Sequence, residues 1–361
     1  MTTFLNYFRA ILLVVLLACA AIPALAAPVH EILSGFTLPP FNPGSGKLAL
    51  GPDGYYWGTT QVGGIYHYGT IYKVKADGSD WKTVLSFTRN GASNKGANPQ
   101  AGLVSDGSGN FWGTTQDGGA SGNGTVFKVN ATSGVLTTLV EFTNNGASNK
   151  GRLPKAGLVS DGSGFFWGTT YAGGASGYGT VFKVNATSGV LTTLVQFTND
   201  GASNKGANPY AGLVSDANGF FWGTTQNGGA NNGTVFKVNA TNGALTTLVE
   251  FTLNGASNKG GQPRAGLVSD GSGSFWGTTR IGGVGGYGTV FKVNAASGAL
   301  TTLVDFTNNG ASNKGSEPQA ELVSDGSGFF WGTTYVGGAR GSGTVFKVNA
   351  TSGVLTTLVD F

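Results

Sequence analysis

The chain has 361 residues, 21 of them basic and 17 acidic, for a formal net charge of +4. A balance this close to neutral over such a length argues against nucleic acid as the main partner. Its 64 glycines are far above average usage, yet 11% of the residues are aromatic, which sets the chain apart from disordered glycine-rich sequence.

The N-terminus reads as a targeting segment. Arg9 gives a positively charged start, residues 10–18 are an apolar run rich in Leu and Val, and Ala24-Leu25-Ala26 fits a small-residue cleavage site. The run is short for a membrane span and is broken by Pro23. Residues 1–26 are therefore expected to be a secretory signal peptide, which makes the protein secreted or extracellular. Leu16-Leu17-Ala18-Cys19 loosely matches a lipid-attachment motif, and periplasmic or Cys19-anchored forms are the alternatives, although the apolar residues after Cys19 do not make a polar tether. Cleavage at Ala26 removes Arg9 and Cys19. It leaves 20 basic against 17 acidic residues and no cysteine, hence no disulfide, thiol nucleophile or cysteine metal site.

Residues 29–36 (V-H-E-I-L-S-G-F) have strand character. After them the chain is built from one unit repeated six times. Trp57, Trp112, Trp167, Trp222, Trp276 and Trp331 mark it, at intervals of 55, 55, 55, 54 and 55 residues. A fixed period of this size signals an array architecture. Each unit holds four strand-like runs separated by turn residues. In the second unit these are strand A at 101–105, B at 110–115, C at 125–130 and D at 135–143. D-G-S-G joins A to B and A-T-S-G joins C to D, both tight-turn chemistry in which Asp and Gly tolerate positive φ. The B–C connection is longer and glycine-rich. The D–A connection is the longest and ends near Pro99, Pro154, Pro209, Pro263 or Pro318.

Four antiparallel strands repeated at about 55 residues describe a propeller blade. Strand C carries apolar groups on both faces, with Phe127 and Val129 on one and Val126 on the other, and in strand B Phe111 and Trp112 face opposite sides. A sheet sandwiched between neighbouring sheets requires such a pattern. The expected fold is all-β, with no helices in the mature chain: one β-propeller domain over residues 27–361. Six blades are the first reading. Seven are the alternative, because residues 29–36 align with a D strand while the last unit already has its own.

The pattern D-G-x-x-F-W-G-T-T…G-T-V-F-K-V-N resembles the Gloeo/Verruco (GloVer) tandem repeat of secreted bacterial proteins, over about residues 29–361. More distantly it is similar to the sensor propellers of two-component regulators. The resemblance implies an exported bacterial propeller and supplies no catalytic residues. Relatives often carry C-terminal sorting signals; the chain shows none, which argues against surface attachment by that route.

Each unit repeats one Asp in the A–B turn (Asp53, Asp106, Asp161, Asp216, Asp270, Asp325) and one Lys in strand C (Lys73, Lys128, Lys183, Lys237, Lys292, Lys347). Sixfold repetition of a charge fits a scaffold need, with Asp accepting turn N–H groups and Lys lying along the sheet. One carboxylate per loop is too few for calcium, which takes six or more oxygens, so neither a metal nor a cofactor is expected. Asn130, Asn185, Asn239 and Asn349 match a glycosylation acceptor but read better as turn formers in a bacterial chain. His30 and His67 are the only histidines and no catalytic motif occurs, so no catalytic residue is assigned.

The units differ from one another in two places. One is the residue after the loop proline: Gln100, Lys155, Tyr210, Arg264 and Gln319. The other is the B–C loop, with Gln116, Asp117, Tyr171, Tyr178, Gln226, Arg280, Tyr287, Tyr335 and Arg340. In a four-stranded meander the B–C and D–A connections emerge on one side, so this variation maps to one face around the mouth of the axis. Surface loops drift freely, but Tyr offers flat apolar surface with a polar tip and Arg a planar donor group. The candidate ligand-binding residues are Tyr171, Tyr178, Tyr210, Arg264, Arg280, Tyr287, Tyr335 and Arg340. The expected function is a monomeric, exported, non-catalytic binding or structural module that recognises a glycan or a surface protein. A polysaccharide lyase or glycosidase on the propeller scaffold is the alternative, and would need two carboxylates about 5–9.5 Å apart at the mouth.

Overall fold

A computed structural model describes residues 46–361 apart from Ser148, Asn254, Ser257, Asn309, Ala311 and Ser312. The signal peptide, Cys19, His30 and the candidate strand at 29–36 lie outside the described residues. The described chain forms six four-stranded antiparallel sheets arranged as a propeller, and no helix occurs among the described residues.

Blade 1 comprises Ala49–Leu50, Tyr56–Thr60, Thr70–Val74 and Lys82–Ser86, which are strands A to D in chain order. Blade 2 follows with Val104–Ser105, Asn110–Thr115, Thr125–Asn130 and Leu136–Glu141. Blade 3 has Val159–Ser160, Phe165–Thr170, Thr180–Asn185 and Leu191–Gln196. Blade 4 has Val214–Ser215, Phe220–Thr225, Thr234–Asn239 and Leu245–Glu250. Blade 5 has Val268–Ser269, Ser274–Thr279, Thr289–Asn294 and Leu300–Asp305. Blade 6 has Val323–Ser324, Phe329–Thr334, Thr344–Asn349 and Leu355–Asp360. Each sheet is a simple meander in which A pairs B, B pairs C and C pairs D.

The Phe-Trp pair of strand B explains the stacking. Adjacent strand residues point to opposite faces, so Phe111 looks back toward blade 1 and Trp112 forward toward blade 3. Trp112 lies 4.5 Å from Phe166 and Trp167 lies 4.4 Å from Phe221, both stacked. Trp57–Phe111, Trp222–Phe275 and Trp276–Phe330 repeat the contact. A second aromatic pair crosses each of these interfaces farther along, as with Phe142 and Phe182 edge to face at 5.2 Å. Such pairs contribute about 0.5–1.5 kcal/mol each beyond the burial of their area. The apolar core is thus a series of clusters between blades, one at each of the five interfaces from blade 1 to blade 6.

Strand A is shorter than its sequence suggests, two residues where the pattern 101–105 indicates five. The backbone before it is committed elsewhere: the Thr59 hydroxyl of blade 1 donates to the Ala101 carbonyl at 2.8 Å, and Gly102 abuts the backbone at Lys47. Five further two-residue ladders, unforeseen in the sequence, tie the D–A connection to the B–C loop. Gly206–Ala207 pairs Asn227–Gly228, for example, and equivalent ladders occur in blades 2 to 6. The B–C and D–A connections therefore share one face of the disc.

The first and last blades meet through Lys47 Nζ and Glu321 Oε1 at 2.8 Å. Blade 6 completes itself with its own D strand. Its Trp331 is half-buried, whereas the other five tryptophans of the repeat are 0–1% exposed, and Leu358 is 37% exposed.

Candidate functional site

The segment that carries the variable residue after each loop proline is positioned by the preceding blade. The residue before the proline adopts a left-handed conformation in five blades: Asn98, Leu153, Asn208, Gln262 and Glu317, with φ between 52° and 58°. Non-glycine residues rarely adopt this region, and a following proline disfavours helical backbone further. Two hydrogen bonds hold each one there. Asn208 N–H donates to the Tyr178 carbonyl of blade 3 at 2.7 Å, and the Asn208 carbonyl accepts from Gln226 N–H of its own blade at 3.0 Å. Gly179, at φ 97°, makes room for Pro209: a Cβ there would sit 2.8 Å from the proline ring and 2.3 Å from the Thr170 carbonyl. Finally Thr169 of blade 3 donates its hydroxyl to the Ala211 carbonyl at 3.0 Å. Tyr210 thus sits on a backbone clamped on both sides. Strained backbone that the surroundings over-determine tends to cluster at functional sites.

What these clamps bring together is a polar arc around the mouth. The Lys155 ammonium lies 4.0 Å from the Tyr171 ring centroid and 4.6 Å from that of Tyr210. The two rings meet edge to face at 6.0 Å and 88°. The Arg264 guanidinium lies 5.4 Å from the Tyr210 ring and donates to Gln319 Oε1 at 3.1 Å. Arg280 pairs with Glu317 at 3.0 Å and also reaches Gln262. Toward blade 2, Gln100 bonds Gln116, which donates to Asp117 Oδ2 at 3.3 Å. All of these side chains are half-buried.

The electrostatics are uneven along the arc. Burial lowers the pKa of Lys155, and the neighbouring Arg264 charge lowers it further, against the opposing pull of Asp117. Burial raises the Asp117 carboxyl, while the Gln116 hydrogen bond and the charges of Arg89 and Lys155 oppose the rise. Among the described residues no group of three or more His, Cys, Asp or Glu could hold a metal ion.

Of the eight sequence-predicted residues, Tyr171, Tyr210, Arg264 and Arg280 lie in the arc. Tyr335 begins the B–C loop of blade 6, in the position of Tyr171, but is 61% exposed, and Arg340 is exposed farther out on that loop. Tyr178 and Tyr287 are 37% and 38% exposed, and their carbonyls accept the N–H of Asn208 and Glu317. Their backbone shapes the mouth while their rings stay outside the cluster. Lys155 was absent from the eight. Its signal was present, since it follows the loop proline as Tyr210 and Arg264 do.

The repeated Asp residues act within the scaffold. Asp161 Oδ1 accepts from Ser163 and Phe165 N–H at 2.7 and 3.0 Å. Every one of the six also accepts from the indole N–H of its own Trp, at 3.2–3.4 Å. Sequence reasoning missed this link, although the two residues recur together in all six units. Five of the strand C lysines, Lys73, Lys183, Lys237, Lys292 and Lys347, lie over B-strand rings, as Lys183 does at 4.8 Å from Phe165. Lys73 and Lys292 also pair with Asp53 and Asp270.

No protein of curated function matches this sequence. Among solved structures the chain is similar to a protein provisionally assigned as a 6-phosphogluconolactonase from Bacteroides uniformis. The TM-score is 0.54 at 14% identity, over 87% of this chain and 84% of that one. It is also similar to an oligogalacturonate lyase in complex with manganese, with TM-score 0.53 and 8% identity over 89% and 77% of the two chains. TolB from Acinetobacter baumannii gives a TM-score of 0.45 at 12% identity over 81% of this chain, which spans 60% of that protein's length. At 14% and 8% identity the first two likenesses show the fold alone. No helix among the described residues is long and apolar enough to cross a membrane. The profile of the Gloeobacter/Verrucomicrobia repeat matches residues 29–205 and again 201–361, so the chain belongs to that repeat family.

Proposed function

We propose that the protein is an exported, non-catalytic recognition module that binds a glycan at the mouth of the propeller axis, on the face built by the B–C and D–A connections. One observation carries this reading: Lys155, Tyr171, Tyr210 and Arg264, from three different blades, converge into one half-buried cluster. Aromatic faces take the apolar side of a sugar ring, and the flanking amides and carboxylates exchange hydrogen bonds with its hydroxyls. The repeated framework around the cluster is nearly uniform, so the individuality of the molecule is concentrated here.

The test is binding of the mature chain to a broad glycan panel beside Tyr171→Ala/Tyr210→Ala, with Tyr178→Ala/Tyr287→Ala as control. Loss in the first variant with retention in the second supports the reading. No binding by the folded wild type, or equal binding by both variants, rejects it.

Asp117 favours a second reading. It is a half-buried carboxyl at the mouth with a raised pKa, the property a general acid requires. Wild type that shortens a bound glycan while Asp117→Asn does not would establish an enzyme.

A further inference from the structure

The arc at the mouth contains three cations, and they are not equivalent. Arg280 is neutralised by Glu317 at 3.0 Å. Among the described residues Lys155 and Arg264 form no ion pair. Lys155 meets only the faces of Tyr171 and Tyr210, and Asp117, though near enough to be felt, does not pair with it. Of the five guanidinium N–H groups of Arg264, a terminal one reaches the neutral Gln319, and Nε–H is sealed from solvent without an acceptor. Two like charges thus lie near the same Tyr210 ring, half removed from water and with no ion-paired carboxylate among the described residues. Such an arrangement is costly in the free protein, because ring faces and a neutral amide replace only part of the hydration that a partly desolvated charge loses. An anion placed between the two would relieve both costs.

We propose that Lys155 and Arg264 form a carboxylate-binding site and that the ligand is an acidic glycan, one bearing uronic-acid residues. This rests on the glycan reading above. The charge-assisted bonds would be made to the uronate carboxylate, and Tyr171 and Tyr210 would carry the sugar ring to which it is attached. The neighbouring acids favour a sugar over an acidic peptide. Asp117 lies near Lys155, and Glu317 accepts from the Gln319 that Arg264 reaches; the Asp117 carboxylate, which forms no ion pair among the described residues, would repel a dense run of acidic side chains. A uronate carries one carboxylate per ring, and its hydroxyls can donate to those same acids.

The experiment is calorimetric titration of the mature chain with β-1,4-linked oligoglucuronate, with the neutral oligoglucose of the same linkage and with an oligoglutamate peptide, at 50 and 300 mM salt. Lys155→Gln, Arg264→Gln and Tyr171→Ala/Tyr210→Ala are titrated in parallel, with thermal melting to confirm that each is folded. The expected result is binding of the oligoglucuronate alone, weaker at the higher salt. Each charge variant is expected to lose about tenfold or more in affinity, the usual weight of a hydrogen bond to a charged group. Equal binding of both oligosaccharides, unaffected by Lys155→Gln and Arg264→Gln but lost in the tyrosine variant, overturns the inference and leaves the glycan reading standing. Preference for the peptide overturns the inference as well. Absence of binding to any oligosaccharide here and in the wider panel overturns both.

Discussion

Replacing Gly179 by alanine would test the most crowded backbone position near the mouth. At φ 97° an added Cβ meets the Thr170 carbonyl at 2.3 Å and the Pro209 ring at 2.8 Å, and neither is the free end of a flexible side chain. Left-handed backbone alone costs a non-glycine residue about 1–2 kcal/mol, and the clash adds to it. Gly179→Ala is expected to lose at least about 2 kcal/mol in urea unfolding. Asp270 tests the A–B turn. Burial pushes its carboxyl up, but the N–H groups of Ser272 and Ser274 and the Lys292 ammonium outweigh that and hold it at about 2, below the usual 3.8. A carboxyl lowered in the folded state gives stability that is present above its unfolded pKa and is lost as pH falls toward the folded one. The contribution of Asp270 to stability should therefore be level down to about pH 4 and be lost between about pH 4 and pH 2. Asp270→Asn should flatten part of that fall when chemical unfolding is measured across the range. Removing the carboxyl group altogether in Asp270→Ala should cost about 1–3 kcal/mol at neutral pH, as donors are left unpaired.

At the scale of elements, the D–A connection acts as a strap. It leaves one blade and fastens to strand D of the next, where Thr247 Oγ1 accepts from Lys205 N–H at 3.1 Å and donates to the Ser203 carbonyl at 3.0 Å. Ion pairs join the same elements: Lys95–Glu141, Lys205–Glu250, Lys259–Asp305 and Lys314–Asp360. Both partners of the second pair remain more than a third exposed, at 37% and 36%, so solvent screens it. Glu250→Gln is expected to cost less than about 1 kcal/mol, and the difference from wild type should vanish in high salt. A larger, salt-insensitive loss would show that the ion pair, rather than the threonine bonds, holds the strap. Strand D was legible from its Leu-Thr-Thr-Leu-Val run, but the strap was not. Its residues N-G-A-S-N-K read only as a polar loop, and their partners lie more than 40 positions away.

The whole molecule is a ring of near-identical units whose stability is a sum of blades and of interfaces between neighbours, as in other repeat proteins. Five interfaces have the same aromatic core. The joint between blades 6 and 1 differs: Trp331 is half-buried, and the contact between Lys47 and Glu321 is polar, with the lysine 65% exposed. Trp167→Ala removes a buried ring stacked at 4.4 Å on Phe221 and is expected to cost about 3–5 kcal/mol. Trp331→Ala should cost clearly less, because less of that ring leaves water on folding. Side-by-side denaturant unfolding of the two variants measures the difference. Equal losses would show that the closing joint is packed as tightly as the rest.

The sequence by itself determined the blade. The 55-residue period, the turn residues and the adjacent Phe and Trp on opposite faces of strand B are local patterns, and they require a sheet covered on both sides. It also located the variable face, because copies of one unit can be compared with each other inside a single chain. Tertiary structure alone decided which of those variable residues meet. Tyr171, Tyr210 and Arg264 converge because each proline segment is clamped by the blade before it, through a left-handed residue that the following proline would by itself disfavour. Tyr178 and Tyr287 have the same chemistry in the same loops, but their carbonyls are committed to that clamp and their rings remain outside. Whether a side chain faces the axis depends on contacts between blades, and these are set by packing across the ring and not by neighbours in the chain.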